Sequence, residues 1–186
     1  MRSAHQQTDE SKVQKIPLLL VLPLSALVAA TTSTGPAYAA APDQVLGKGT
    51  FRAQGPGSFS DTTIRVAASD ATPGIGLDAA GTLSVTDAPS NNPPASLEAE
   101  AFCVNADGNR GVVVGTVTQG PEGTVGRTIL VRVTDGGQGN PSVPDTAVFG
   151  LSTLGPADAL TNGFCATNFV ENIPVTSGNF IVHDQS

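Results

Sequence analysis

The sequence predicts an all-β domain, an antiparallel β-sandwich or flattened barrel of about eight strands, preceded by a cleaved signal peptide. Three observations carry this expectation. Short runs rich in Val, Ile, Thr and Phe recur between turn residues along the chain. Gly and Pro, 21 and 14 of the 186 residues, interrupt every stretch on which a helical period could build. The first 39 residues have a composition of their own.

That leader begins with a polar stretch carrying Arg2, Lys12 and Lys15, followed by an apolar run from Ile16 to Ala30. The run is shorter than the roughly 20 residues a membrane-spanning helix needs, and Pro17 and Pro23 weaken it further as an anchor. Ala37-Tyr38-Ala39 supplies the small-x-small pattern of a cleavage site. The expectation is a signal peptide over 1–39, a single secreted domain over 40–186 and no stable membrane insertion after cleavage.

The strands follow in order. Val45 to Ala53 and Thr62 to Ala68 flank a Gly-Pro-Gly turn at 55–57, and Gly81 to Asp87 precedes the loop marked by Asn91-Asn92-Pro93-Pro94. Ser96 to Asn105 alternates Leu97, Ala99, Ala101 and Cys103 against Glu98 and Glu100, the period of a half-buried strand, which turns Cys103 inward. Asp107-Gly108 then marks a hairpin into Arg110 to Gln119. After the turn Pro121-Glu122-Gly123, Thr124 to Asp135 alternates Ile129, Val131 and Val133 against Leu130, Arg132 and Thr134, and is expected at the centre of the core. The Gly- and Pro-rich stretch 135–145 reads as an exposed loop, Asp145 to Ser152 as a strand, 153–175 as irregular and Asn179 to Asp184 as the closing strand.

The two cysteines, Cys103 and Cys165, are an even pair in a chain expected to be exported, so they are expected to form one disulfide. A reactive thiol would need a local base or a C-x-x-C spacing, and neither is present.

From Ala40 on there are six bases against 14 acids, a formal charge of −8. That balance speaks against nucleic acid and anionic membrane surfaces as partners. Beyond the leader there is no Trp, Tyr or Met, so the aromatic platform of most sugar-binding modules is lacking. Low Lys with abundant Ala, Gly, Thr, Val and Asp resembles secreted proteins of high-GC Gram-positive bacteria.

Gly47-Lys-Gly-Thr-Phe51, Ile129-Leu-Val-Arg-Val-Thr-Asp-Gly-Gly137 with Pro144-Asp-Thr146, and Ser177-Gly-Asn-Phe-Ile-Val-His-Asp184 form a set. Together they resemble a loose group of small bacterial secreted β-domains of unknown function, with a G-x-G-T-F opening strand, a V-x-D-x-G strand and a closing S-G-x-φ-x-V-x-D strand. The resemblance spans most of 45–184 and departs at Phe149, which falls two residues later than in the pattern. It implies a β-fold and transfers no catalytic residue, cofactor or ligand.

The catalytic prospects are thin. A Ser-His-Asp hydrolase would have to use His183, the one histidine after the leader, and no G-x-S-x-G elbow accompanies it. Glu98 and Glu100 could form a glycosidase pair but read as a solvated strand face. For calcium, Asn105, Asp107 and Asn109 place oxygen ligands at alternate positions, yet the twelfth position is Thr116 and not the bidentate Glu of an EF-hand; Asp135, Asn140 and Asp145 form a second candidate set. The sequence therefore predicts a secreted, non-enzymatic structural or interaction domain without cofactor, catalytic or metal residues. Its partner would be a protein or cell-envelope component contacted through the loops 88–95 and 136–144. A calcium-dependent adhesion module is the alternative.

Overall fold

The computed structural model describes residues 42–55, 58–72, 77–137, 143–166 and 173–185. The expected signal peptide and cleavage site lie outside them, as do Asn140 and much of the Gly-rich loop. Eight strands run in chain order: β1 (Asp43–Gly55), β2 (Ser58–Asp70), β3 (Ala80–Pro89), β4 (Ala95–Asp107), β5 (Arg110–Gln119), β6 (Thr128–Thr134), β7 (Thr146–Ser152) and β8 (Ile173–His183). Each pairs antiparallel with its sequence neighbour, and β8 returns to β1, so the sheet is an up-and-down closed barrel. This decides between the two expected architectures. A sandwich needs two separate sheets, whereas the eight register pairs between β1 and β8, Gln44↔His183 through Phe51↔Val175, join the ends of one.

Alternation in each strand fills the inside. Val45, Phe51, Ile64, Val66, Leu83, Val85, Val113, Val117, Ile129, Val131, Val133 and Phe180 form one buried cluster. The outer face carries the exposed charges Lys48, Arg52, Arg65, Glu98 and Glu100. An eight-stranded barrel has an interior just wide enough for side chains, and these fill it.

Phe180 shows how the motif glycines serve this packing. It lies opposite Gly47 in the β1–β8 register, and a Cβ on Gly49 would sit 2.5 Å from its ring carbon Cε2. Gly47 has φ +134, and a side chain there would collide with the backbone of Asn179 and Phe180. The Phe180 amide donates to Asp145 Oδ2 at 2.5 Å, and the Gly136 amide donates to Asp145 Oδ1 at 2.9 Å. Asp145 is needed because β7 and β8 share only the pairs Thr146↔Pro174 and Ala147↔Ile173. Its carboxylate satisfies a β8 amide where the ladder stops. The three sequence pieces on which the family resemblance rests thus meet at this seam.

A second apolar cluster lies outside the barrel. Phe102 and Cys103 of β4, Val112 and Val114 of β5 and Leu130 of β6 pack under Leu154, Ala159, Leu160, Phe164 and Cys165. The covering segment contains α1 (Pro156–Thr161), with Pro156 in its first turn and Gly163 at φ +73 just past its end. Cys103 and Cys165 are disulfide-bonded with Cα atoms 6.3 Å apart. Cys103 faces outward, against the expectation from alternation. The register shifts between Ala101 and Cys103, where β4 has one residue more than β5, and this bulge reverses the parity of the strand. Ala99 and Ala101 precede it inside the barrel, and Val104 follows inside.

Other boundaries differ from expectation as well: β2 starts at Ser58, four residues before the expected Thr62, and α1 falls in the stretch 153–175 expected to be irregular. Residues 124–127 belong to a turn and not to β6, because Gly123 and Gly126 take positive φ and the Gly126 amide bonds back to Val117. β8 starts at Ile173, six residues before the expected Asn179.

Candidate functional site

In an up-and-down barrel the connections alternate between ends. The β1–β2, β3–β4, β5–β6 and β7–β8 links share one end, the mouth; both described termini and the remaining links share the other, the base. Polar groups enter the inward face at each end.

At the mouth, the inward series of β3 runs Leu83, Val85, Asp87, and that of β2 runs Ile64, Thr62, Ser60. Asp87 lies opposite Thr62. Its Oδ1 accepts hydrogen bonds from Thr62 Oγ1 at 2.7 Å and from Ser60 Oγ. Two hydroxyls on one oxygen fix the orientation of the carboxylate and leave Oδ2 with no bond from a described residue. Beside it is a cavity of about 190 Å³ lined by Val85, Asp87, Ala95, Leu97, Pro121, Thr124 and Phe149. Phe149 is inward-facing on β7, opposite Val131.

The turn over residues 120–127 forms one wall of this cavity. The Thr124 hydroxyl and amide both donate to Pro121 O, at 2.6 and 3.0 Å, and the Arg127 amide donates to Thr124 O at 3.1 Å. Gly120 lets the turn approach, since a Cβ there would lie 2.6 Å from both Leu97 Cδ2 and Thr124 Oγ1. Three of the exposed large apolar side chains, Phe59, Val125 and Leu151, are at this same end. On the outer surface nearby, Arg52 makes a two-point ion pair with Asp61, at 2.7 and 2.9 Å, and lies 4.5 Å from the Phe59 ring centroid. Hydrogen bonding from Arg52 holds the Asp61 carboxyl below its ordinary range.

At the base, Asp43 and Asp70 face each other across β1 and β2, both buried. Asp43 accepts from the amides of Ala106 and Gln185, at 3.1 and 2.9 Å, and so ties β4 and the C-terminal segment to β1. Asp70 Oδ1 accepts from the Thr72 amide at 2.8 Å, while its buried Oδ2 has no partner among the described residues. Burial raises the Asp70 pKa, the Thr72 amide opposes this, and the charges of Asp78 and Asp43 add to the rise. A carboxyl whose folded pKa lies above its unfolded value contributes stability that is complete below the unfolded value. That stability is lost as pH rises through the folded one. Asp70→Asn is therefore expected to raise Tm by a few degrees at neutral pH and to leave it unchanged near pH 3. Paired thermal melts at the two pH values check this.

The residues proposed from sequence are placed as follows. His183 is exposed in β8 opposite Gln44, at the base and away from the mouth cavity. Glu98 and Glu100 are exposed on the outer face of β4. Asn105 Nδ2 donates to Cys165 O at 2.7 Å, Asn109 Nδ2 donates to Asp135 O at 2.8 Å, and Thr116 lies within β5 opposite Thr128. The side-chain amides of Asn105 and Asn109, in the first calcium candidate set, are thus each engaged with a different segment. In the second set, Asp135 Oδ1 accepts from the Gly137 amide at 2.7 Å and Asp145 is engaged at the seam. Among the described residues, no three His, Cys, Asp or Glu side chains are grouped to hold a metal ion. The mouth residues Asp87, Ser60, Thr62 and Phe149 are not among the site candidates that the sequence offers. The available signal was the series Leu83, Val85, Asp87, which puts an acid on an otherwise apolar strand face. No protein-family model, curated protein or solved structure matches the chain.

Proposed function

We propose that this protein is an exported, non-enzymatic binding domain that takes a small ligand at the open mouth of a rigid barrel. The observation that carries the reading is the mouth cavity itself. Above the buried cluster of the barrel, a space of about 190 Å³ is left between Val85, Leu97, Pro121, Thr124 and Phe149, with one oriented carboxylate at its edge. Apolar walls with few fixed polar groups are the usual make-up of a ligand site. The volume lies below the roughly 300 Å³ at which drug-sized pockets begin, so the occupant is small.

Export is supported by the sequence of residues 1–39 and by the disulfide, a bond that persists in oxidising compartments. Among the described residues, no helix is long and apolar enough to cross a membrane. The barrel carries its apolar side chains inside and charges outside, the reverse of the arrangement that lipid favours.

A thermal-shift screen of small fragments tests the proposal. Compounds that bind the mouth raise Tm by mass action, and the shift disappears in Ala95→Phe, which fills the cavity. A screen without a stabilising compound, or stabilisation equal in both proteins, would overturn it.

A further inference from the structure

From the geometry of the mouth we infer that the site selects a primary alkylammonium ion, its ammonium group on Asp87 and its alkyl chain along the apolar wall. The inference rests on the proposed binding role and names the chemistry of its ligand.

Four observations lead to this class. Asp87 is the one charged group lining the cavity among the described residues, and no Lys, Arg or His shares the wall with it. Ser60 and Thr62 both bond Oδ1, so the carboxylate is held in one orientation before a ligand arrives. Its Oδ2 is left to accept from a donor in the cavity. A carboxylate accepts only, so the complementary group is a donor, and a cationic one gains most. Beyond this polar point the wall is aliphatic and aromatic, from Val85, Leu97 and Phe149, which suits a short hydrocarbon chain.

The shape excludes other cations. A bare metal ion would want several oxygen ligands, and the cavity offers one carboxylate and the Thr124 hydroxyl, which is already bonded to Pro121 O. The apolar wall would gain nothing from a metal. A planar guanidinium binds best to both carboxylate oxygens in the same plane, and Oδ1 is already occupied by two hydroxyls. An ammonium group needs a single strong acceptor, and its remaining protons can be met by water.

The test compares n-butylammonium with n-butanol, which has the same chain and no charge, by titration of the full exported chain followed by 1H–15N NMR. Butylammonium is expected to shift the amides around Asp87, Leu97 and Thr124 saturably and to bind about tenfold or more tightly than butanol, the scale of one charge-assisted hydrogen bond. Asp87→Asn, which keeps an acceptor for Ser60 and Thr62, should weaken butylammonium binding by about tenfold or more and bring it close to that of butanol. Equal affinity for the two compounds in the unmodified protein would overturn the inference without recourse to any variant, and would leave apolar binding at the mouth intact. Amine binding unchanged in Asp87→Asn would overturn it equally. If neither compound shifts mouth amides while fragments from the thermal screen do, the ligand class is wrong and the binding role stands. If nothing binds there, both fall.

Discussion

Replacing Cys103 and Cys165 together with alanine is expected to lower the free energy of unfolding by about 4 kcal/mol, the chain-entropy value for a separation of 62 residues. That is a large share of the roughly 5–15 kcal/mol by which a domain is usually stable. The loss should also have a location. Cys165 ends the segment that carries α1, and this segment covers Phe102, Val112, Val114 and Leu130 on the outside of the sheet. The barrel interior shares none of these side chains. Cutting the bond therefore loosens the outer layer first, and hydrogen exchange should quicken at Ala159, Leu160 and Phe164 before it does in β1 or β2. Urea unfolding of the oxidised and the double-alanine proteins measures the total. A difference below about 1 kcal/mol would mean that the outer layer holds without the covalent tie.

Phe180→Ala is expected to cost about 3–5 kcal/mol, the usual range for deleting a fully buried phenylalanine. The ring occupies the space that Gly49 leaves open, where a Cβ would meet Cε2 at 2.5 Å and Cζ at 3.0 Å. The same geometry predicts coupling between two positions. Gly49→Ala alone drives a methyl group into the ring and should be strongly destabilising. In the Phe180→Ala background that collision is gone, and the second substitution should cost much less. Denaturant titrations of the four proteins give the interaction energy, and strict additivity would show that the ring does not occupy the glycine gap.

Much of this fold was legible in the sequence because strand parity is a local property. Ile129, Val131 and Val133 fall inside as their alternation requires, and the hairpin at Gly108-Asn109 lies one residue from the expected Asp-Gly position. Gly108 takes φ +58, the conformation for which such turns select glycine. What could not be read depends on contacts distant in sequence. A sandwich and a closed barrel give the same alternation, and only the pairing of β1 with β8 separates them. The parity of Cys103 turned on a single extra residue in β4, which no hydrophobic pattern marks. The valine run at 112–114 reads as core, yet only Val113 points inside; Val112 and Val114 are buried by α1 and its flanks. Continuous burial on both faces leaves no period to read.

The mouth was illegible for a related reason. Ser60, Thr62 and Asp87 are ordinary strand residues in sequence, and their meeting follows from the β2–β3 register. Phe149 joins them from β7, across the closed wall, and the turn over 120–127 includes residues 124–127, whose sequence continues the pattern of the strand that follows. Acidic residues at the base also serve the architecture. Asp145 closes the seam, and Asp184 accepts the Gly108 amide at 2.8 Å, fastening the C-terminal segment to the β4–β5 turn.

The proposed ligand site at the mouth can be located by mapping, in 1H–15N spectra of the protein, where stabilising fragments bind. Shifts are expected at Val85, Asp87, Leu97, Thr124 and Phe149, with Asp43, Asp70, Ala106 and His183 at the base unmoved. Shifts centred on the base or on the outer faces of the strands, with the mouth unmoved, would contradict it.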